Sequence, residues 1–322
     1  MPSRETFAYR RNLKLRAQKA VETEDTAIDN VFSRAQDDFL TFCTLLDKPP
    51  ARHMLEWHRE LITGESNKYL LDIAGPNLDI LSPRGSAKST VLNLFTAWVI
   101  GRHTQAGRPL QIIYCSYNIA TAIPKSRIIK QIIDASTFKK IFPRVKLKAG
   151  MQSDIGWSVD FDYAGIDRIG DEEFTLRAAG LRGSITSKRA HLVIVDDPIK
   201  SSSDIKNPAV REEMNNNWSS VIAPIVFEGG RSICLGTRFH PLDIHKTMFV
   251  PQKGWKQVAQ EALTYDKEGE PISYWPEQWS VEYLQGQKEL DPVAFAYQYQ
   301  QQPVMTSDLV LSPDLIVKGT VE

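Results

Sequence analysis

Cysteine is scarce: three in 322 residues, Cys43, Cys115 and Cys234, far apart and in no metal-like spacing. Neither a disulfide framework nor a cysteine metal site is implied, which fits a reducing compartment. Cys115 and Cys234 lie in the apolar runs IIYCS and SICLG and read as small buried hydrophobes. Net charge is also missing. Lys+Arg (39) balances Asp+Glu (39), so overall electrostatics says nothing of a polyanionic partner, and any nucleic-acid surface must come from local clustering. No apolar run is long enough to span a bilayer, and the N-terminal MPSRETFAYRRNLKLRAQK lacks the apolar core of a signal peptide. No internal repeat or low-complexity segment is present. The expectation is a soluble intracellular protein with no membrane partner. Its 42% hydrophobic content suffices for one large domain or two modest ones.

What is there divides at Pro49–Pro50. Residues 1–46 read as a charged helical segment. Arg4, Arg10, Arg11, Lys14, Arg16 and Lys19 are basic, Glu22, Glu24 and Asp25 follow, and Ile28, Val31, Phe32, Phe39, Leu40, Phe42 and Leu45 suit one buried helical face. Beyond them, over 47–305, short β-branched runs alternate with helical stretches. LDILS (78–82), QIIYCS (111–116), HLVIVDD (191–197) and RSICLG (231–236) predict buried strands, with WKQVAQE (255–261) a fifth. Residues 88–101 and 118–134 predict helices, the second despite Pro124, and 144–190 predicts hairpins and loops. Buried strands separated by helices indicate a mainly parallel central sheet covered on both faces. The fold class is therefore α/β, three-layered, with one principal domain and a tail or linker over 306–322.

Three segments carry chemistry. In Ser82–Pro83–Arg84–Gly85–Ser86–Ala87–Lys88–Ser89–Thr90 an apolar strand runs into a small-residue turn and then a helix. A phosphate-binding loop needs this order, because its backbone N–H groups and the helix dipole converge on an anion. Lys88 stands where such a loop neutralises the outer phosphates, and Ser89 where a hydroxyl ligates Mg²⁺. The strict pattern G-x-x-x-x-G-K-S/T is not met, since Ser82 and Ala87 replace its glycines. The second segment, Leu192–Val193–Ile194–Val195–Asp196–Asp197, delivers two carboxylates at the C-terminal edge of a buried strand, where α/β proteins bind ligands. Asp196 suits the Mg²⁺ and Asp197 the attacking water. The third, RSICLG followed by Thr237–Arg238, ends at the same edge and suits sensing of a γ-phosphate.

Together these elements resemble the ATPase domain of the large terminase subunit of tailed bacteriophages, a P-loop NTPase of the ASCE/RecA-like kind. SPRGSAKST is similar to the family's deviant Walker A loop with its arginine. LVIVDD is similar to its Walker B strand, where the last acid is more often Glu, and LGTRFHP to its coupling motif. GLRGSITSKRAHLVIVDD (180–197) and FAYQYQQQP (295–303) also look like that family, and the resemblance covers roughly residues 40–305. It implies ATP and Mg²⁺ as cofactors, with Arg84 on the γ-phosphate in cis. It further implies an arginine finger between neighbouring subunits, with Arg182 or Arg189 as candidates, and an adenine pocket near Pro50, His53 and Trp57.

The implied activity is ATP hydrolysis driving double-stranded DNA into a viral procapsid, in the cytoplasm of the infected host cell. The implied partners are the portal protein, the small terminase subunit and further copies of the chain in a ring. A complete large terminase also carries an RNase H-like nuclease domain. The acids after Pro303 are Asp308, Asp314 and Glu322, so the expectation is a motor without a nuclease, whether truncated or split. A helicase-like or remodelling DNA-dependent ATPase is the alternative enzyme, and a nucleotide-dependent assembly or binding protein with little turnover is the alternative from another class. The basic cluster Lys125, Arg127, Lys130, Lys139, Lys140, Arg144, Lys146 and Lys148 is a candidate DNA-phosphate surface.

Overall fold

The computed structural model describes residues 29–62, 74–160, 174–183, 185 and 188–303. The basic stretch from Arg4 to Lys19 and the tail over 306–322 lie outside the described residues. Residues 29–37 are helical (α1), followed by α2 (Phe39–Leu45), α3 (Leu55–Ile62), β1 (Asn77–Leu81), α4 (Lys88–Gln105), β2 (Ile112–Ser116), α5 (Ile119–Asp134) and α6 (Ser136–Ile141). Then come β3 (Leu147–Gln152), β4 (Gly156–Val159), β5 (Leu176–Gly180), β6 (Ala190–Asp196), α7 (Pro208–Asn217), β7 (Val226–Gly236) and β8 (Trp255–Ala259). The described chain closes with the β9 (Leu263–Tyr265) and β10 (Pro271–Ser273) hairpin, α8 (Val281–Leu290) and α9 (Pro292–Gln298).

The central sheet has the order β3-β4-β5-β2-β6-β7-β1-β8. From β5 to β8 every pairing is parallel, whereas β3-β4 and β4-β5 are antiparallel. Strand side chains alternate between faces, and in the central strands both faces are buried. Ile112, Tyr114, Leu192, Ile194, Ile233 and Leu235 enter one apolar cluster with α2, α3 and α4. Ile113, Cys115, Val193, Val195 and Cys234 enter the other, with Met214 of α7, Trp218 and Phe249. Three layers result because the central strands β2, β6 and β1 and the second half of β7 are buried on both faces, while the edge strand β8 exposes Lys256, Gln257 and Ala259. Helix α4 is buried along most of its length, as its apolar residues on all sides require. Ala35 and the α2 residues Phe39, Phe42 and Cys43 share its cluster, with Phe39 lying 5.3 Å from the Trp98 ring. All three cysteines are buried and free, and burial pushes the Cys115 thiol up to about 12.

One stretch departs from the expectation of hairpins and loops over 144–190. β3 and β4 form a hairpin, but β5 is a parallel strand beside β2. Its sequence, LRAAG, lacks the β-branched residues that mark its neighbours. Small residues are needed because the start of α5 crosses it: a Cβ on Gly180 would come 2.8 Å from the Ile119 amide nitrogen. Packing, not propensity, makes this strand.

Candidate active site

β1, β6 and β7 run parallel, so the segments that leave them emerge at one edge of the sheet, with β7 between the other two. After β1 the chain turns through Ser82–Ala87, with Gly85 at φ +78 and Ala87 at φ +62, and α4 begins at Lys88. Gly85 has no substitute here, since an added Cβ would also lie 2.8 Å from Trp279 Cζ2. Lys88 Nζ donates to the Ser82 and Pro83 carbonyls at 3.4 and 3.3 Å and to Thr237 Oγ1 at 3.0 Å. It also lies 3.9 Å from Asp197 Oδ1. Thr237 Oγ1 in turn donates to the Ser82 carbonyl at 3.1 Å, joining the end of β7 to the loop after β1.

Asp196 ends β6 and is 1% exposed. Ser89 Oγ donates to its Oδ1 at 2.9 Å, the Tyr114 hydroxyl donates to Oδ2 at 3.1 Å, and Lys125 Nζ stands 3.3 Å from Oδ2. Burial, and then the neighbouring Asp197 charge, push the Asp196 carboxyl up, while Lys125 and Ser89 pull it down. The Tyr114 phenol is pushed well above its usual range by burial and by Asp196, so it remains a donor. Asp197 has φ 48, a left-handed conformation that Asp tolerates better than most residues, and its side chain is 47% exposed.

Arg84, Lys88, Asp196, Asp197 and Thr237 line one cavity of about 460 Å³, closed on its far side by Ala120, Thr121, Pro124 and Lys125 of α5. Four cations, Arg84, Lys88, Lys125 and Lys200, face two carboxylates there. An excess of positive charge suits a polyphosphate. Buried Ser86 Oγ has no hydrogen-bond partner among the described residues, an orphan donor beside the loop amides. The Ser89–Asp196 pair presents two oxygens of the kind a hard divalent cation takes. The residues therefore fit a nucleotide with Mg²⁺.

Other predicted residues fall elsewhere. Thr90 is exposed on the first turn of α4 and does not line the cavity. His53 stands behind the loop, its Nε2 3.2 Å from the Ser86 carbonyl and its ring 4.6 Å from Trp275. Trp57 is core, 0% exposed in the α4 cluster, and lines no part of the cavity. Arg238 does not line the cavity. Its guanidinium is clamped by buried Asp243, at 2.9 and 2.8 Å from its two oxygens, and also donates to the His240 and Pro241 carbonyls. It stabilises the turn after β7. Arg182 follows β5 at the cavity edge of the sheet, forks onto Glu213 at 3.2 and 2.6 Å and reaches the Tyr117 hydroxyl at 3.4 Å. Arg189 precedes β6, hence lies at the opposite edge, where it donates to the Pro224 carbonyl at 3.2 Å.

Four residues of the basic cluster proposed for DNA, Lys140, Arg144, Lys146 and Lys148, are exposed, and the other four have partners or turn inward. Lys125 turns into the cavity, Arg127 and Lys130 pair with Asp154 at 2.7 and 3.0 Å, and Lys139 pairs with Asp134. Sequence reasoning missed Lys125, Tyr114 and Trp279 as neighbours of the site. FAYQYQQQP acquires a physical reading. Gln298 accepts from the Arg84 backbone N–H at 3.0 Å, and Gln301 Oε1 accepts from the Arg238 N–H at 3.1 Å, so α9 and its exit brace both loops. Asp79 of β1, Cys234 of β7 and His245 form a second buried cluster. There Asp79 is already engaged by His245 Nδ1 and Gln257 Nε2, both at 2.8 Å.

No protein-family model matches the chain. The large terminase subunit of Enterobacteria phage T3 is 24% identical over 283 residues, which cover 82% of this chain and 44% of that relative. The chain thus spans under half the length of the curated protein it matches. Among solved structures, the ATPase domain of the Thermus phage P74-26 large terminase superposes with a TM-score of 0.50 at 14% identity, over 81% of this chain and 97% of that one. A point variant of the same domain gives 0.52 at 13% identity over the same shares. In sequence and in fold, the chain resembles the ATPase domain of a phage large terminase subunit.

Proposed function

We propose that this chain is an ATP-hydrolysing motor domain that drives double-stranded DNA into a viral procapsid, in the cytoplasm of an infected host cell. One observation carries the reading: on a terminase-like fold, Lys88, Ser89, Thr237 and the Asp196–Asp197 pair converge at one edge of the parallel sheet. Ser89 and Asp196 would hold Mg²⁺, which supplies neutralisation of charge on the β- and γ-phosphates. Lys88 leaves the loop carbonyls for the phosphates, and the loop amides and the start of α4 bind their oxygens. Asp197, partly exposed and facing the cavity, orients the attacking water and accepts its proton. Arg84 faces the γ-phosphate in cis. Thr237 touches both Lys88 and Ser82, so a shift of Lys88 is felt at the exit of β7.

Arg182 is the arginine we assign to a neighbouring subunit's site, because it lies at the cavity edge of the sheet while Arg189 does not. Removing a finger of this kind costs about 10³-fold or more in rate. The ring of copies, the portal protein and the small terminase subunit are partners inferred from the terminase resemblance, as is DNA itself. Among the described residues no helix is long and apolar enough to cross a membrane.

The deciding experiment is ATP turnover by the purified chain with and without long double-stranded DNA, beside Lys88→Ala. Abolished turnover in the variant and stimulation by DNA are expected. Turnover that survives Lys88→Ala refutes the phosphate-loop reading.

A further inference from the structure

Asp196 is a buried carboxylate, and a buried charge is tolerated only when paired. Of the groups that reach its oxygens, Ser89 and Tyr114 are neutral, and Lys125 alone is charged. That lysine comes from α5, on the wall of the cavity opposite the phosphate loop. The helix runs on through a proline there. Pro124 has no N–H for the Ala120 carbonyl one turn earlier, and both residues face the same cavity. Lys125 is 28% exposed on its side chain and hangs from a flexible four-carbon stem, so its ammonium can exchange one partner for another within the cavity.

We infer that Lys125 is a second phosphate-handling lysine, which neutralises Asp196 until a metal–nucleotide complex arrives and then moves to the terminal phosphate. The inference rests on the ATPase reading above. A divalent cation at Ser89 and Asp196 and the Lys125 ammonium compete for one carboxylate, and like charges so close repel. Lys125 yields because its stem is mobile. The cavity it swings into, facing Arg84 and Lys88, is where that reading puts the γ-phosphate. Lys125 thereby makes the site sense two things at once, the metal and the third phosphate. Charge alone moves, and no bond is made or broken.

The test is calorimetric binding of ADP and of a non-hydrolysable ATP analogue across a Mg²⁺ titration, for wild type, Lys125→Ala, Lys125→Gln, Lys125→Arg and Lys88→Ala. Loss of a charge-assisted contact to the terminal phosphate is expected to weaken the analogue by about tenfold in Lys125→Ala and Lys125→Gln, with ADP little changed. The Mg²⁺ concentration for half-maximal ADP binding falls in the same two variants, because the competing cation is gone. Lys125→Arg keeps most of the analogue affinity. Wild-type discrimination and an unmoved Mg²⁺ midpoint in Lys125→Ala overturn the inference, as does a loss in Lys125→Ala that Lys125→Gln restores, which would mark packing by the stem. If Lys88→Ala binds both nucleotides like wild type, the ATPase reading itself fails, and that outcome is distinct from the other two.

Discussion

Ala87 holds φ +62 and ψ 24 directly before α4, a left-handed conformation that costs an L residue with a Cβ roughly 1–2 kcal/mol. The loop has to turn there so that the amides of the first helical turn face the cavity. Ala87→Gly is therefore expected to raise stability by about 1 kcal/mol. The check is a higher urea midpoint at unchanged slope, and a glycine variant less stable than wild type would show that the loop carries no such strain. Gly85→Ala should do the reverse. It places a Cβ at φ +78 against the Trp279 ring, so a loss of about 1 kcal/mol or more is expected in the same measurement. The missing glycine was legible in SPRGSAKST, but the strain it leaves at Ala87 was not. Backbone angles follow from how β1 and α4 are held, and nine residues of sequence do not contain that.

Elements are tied together by a few buried polar side chains, and Arg231 of β7 is the chief one below the site. It is 1% exposed and donates to the Pro76, Leu61 and Glu60 carbonyls at 2.8, 2.8 and 2.9 Å. Two of those carbonyls end α3, where a helix has no internal donors left, and the third precedes β1. Burial lowers the guanidinium to about 10, so it stays charged at neutral pH. Arg231→Met would leave buried carbonyls unpaired, each costing roughly 1–3 kcal/mol. A loss of about 3 kcal/mol or more in chemical denaturation is expected, and a near-neutral variant would mean that water takes over the carbonyls. RSICLG reads as a strand from its apolar run, yet nothing in it announces an arginine turned inward. The same limit hid β5, whose small residues make sense only once α5 lies across them.

For the whole molecule the acid limb of stability has an identifiable contributor. His58 is 2% exposed, stacked 4.6 Å from Phe39, and burial pushes its imidazole down to about 4. The folded chain keeps it neutral at pH values where the unfolded chain binds the proton. Its contribution is therefore complete above the unfolded value, near 6.5, and is lost as pH falls through the window down to about 4. Within that window the slope approaches ~1.4 kcal/mol per pH unit. His58→Leu keeps the apolar contact and removes the titrating ring, so the drop in urea midpoint between pH 7 and pH 5 should shrink. An equal drop in both proteins would assign the acid limb to other groups.

Much of the site was written in contiguous residues. A strand running into a loop and helix, a strand ending in two aspartates, and a strand ending in Gly236–Thr237 each declare themselves locally. Parallel strands then bring their C-terminal ends to one edge, whatever the rest of the chain does. That reasoning determined the layered α/β architecture and the convergence of Lys88, Ser89, Asp196 and Thr237. Only tertiary structure decided which way the long charged side chains turn. Arg238, adjacent to Thr237, folds back onto Asp243, while Lys125, placed by sequence in a surface cluster, reaches inward to Asp196. Arg182 and Arg189, seven positions apart, lie at opposite edges because the first follows the end of β5 and the second precedes the start of β6. A lysine or arginine spans several ångströms and takes an acceptor within its reach, carboxylate or carbonyl. For Arg238 that acceptor lies five residues on, whereas for Lys125 it lies on a strand far away in the chain and is set by the packing of α5 on the sheet.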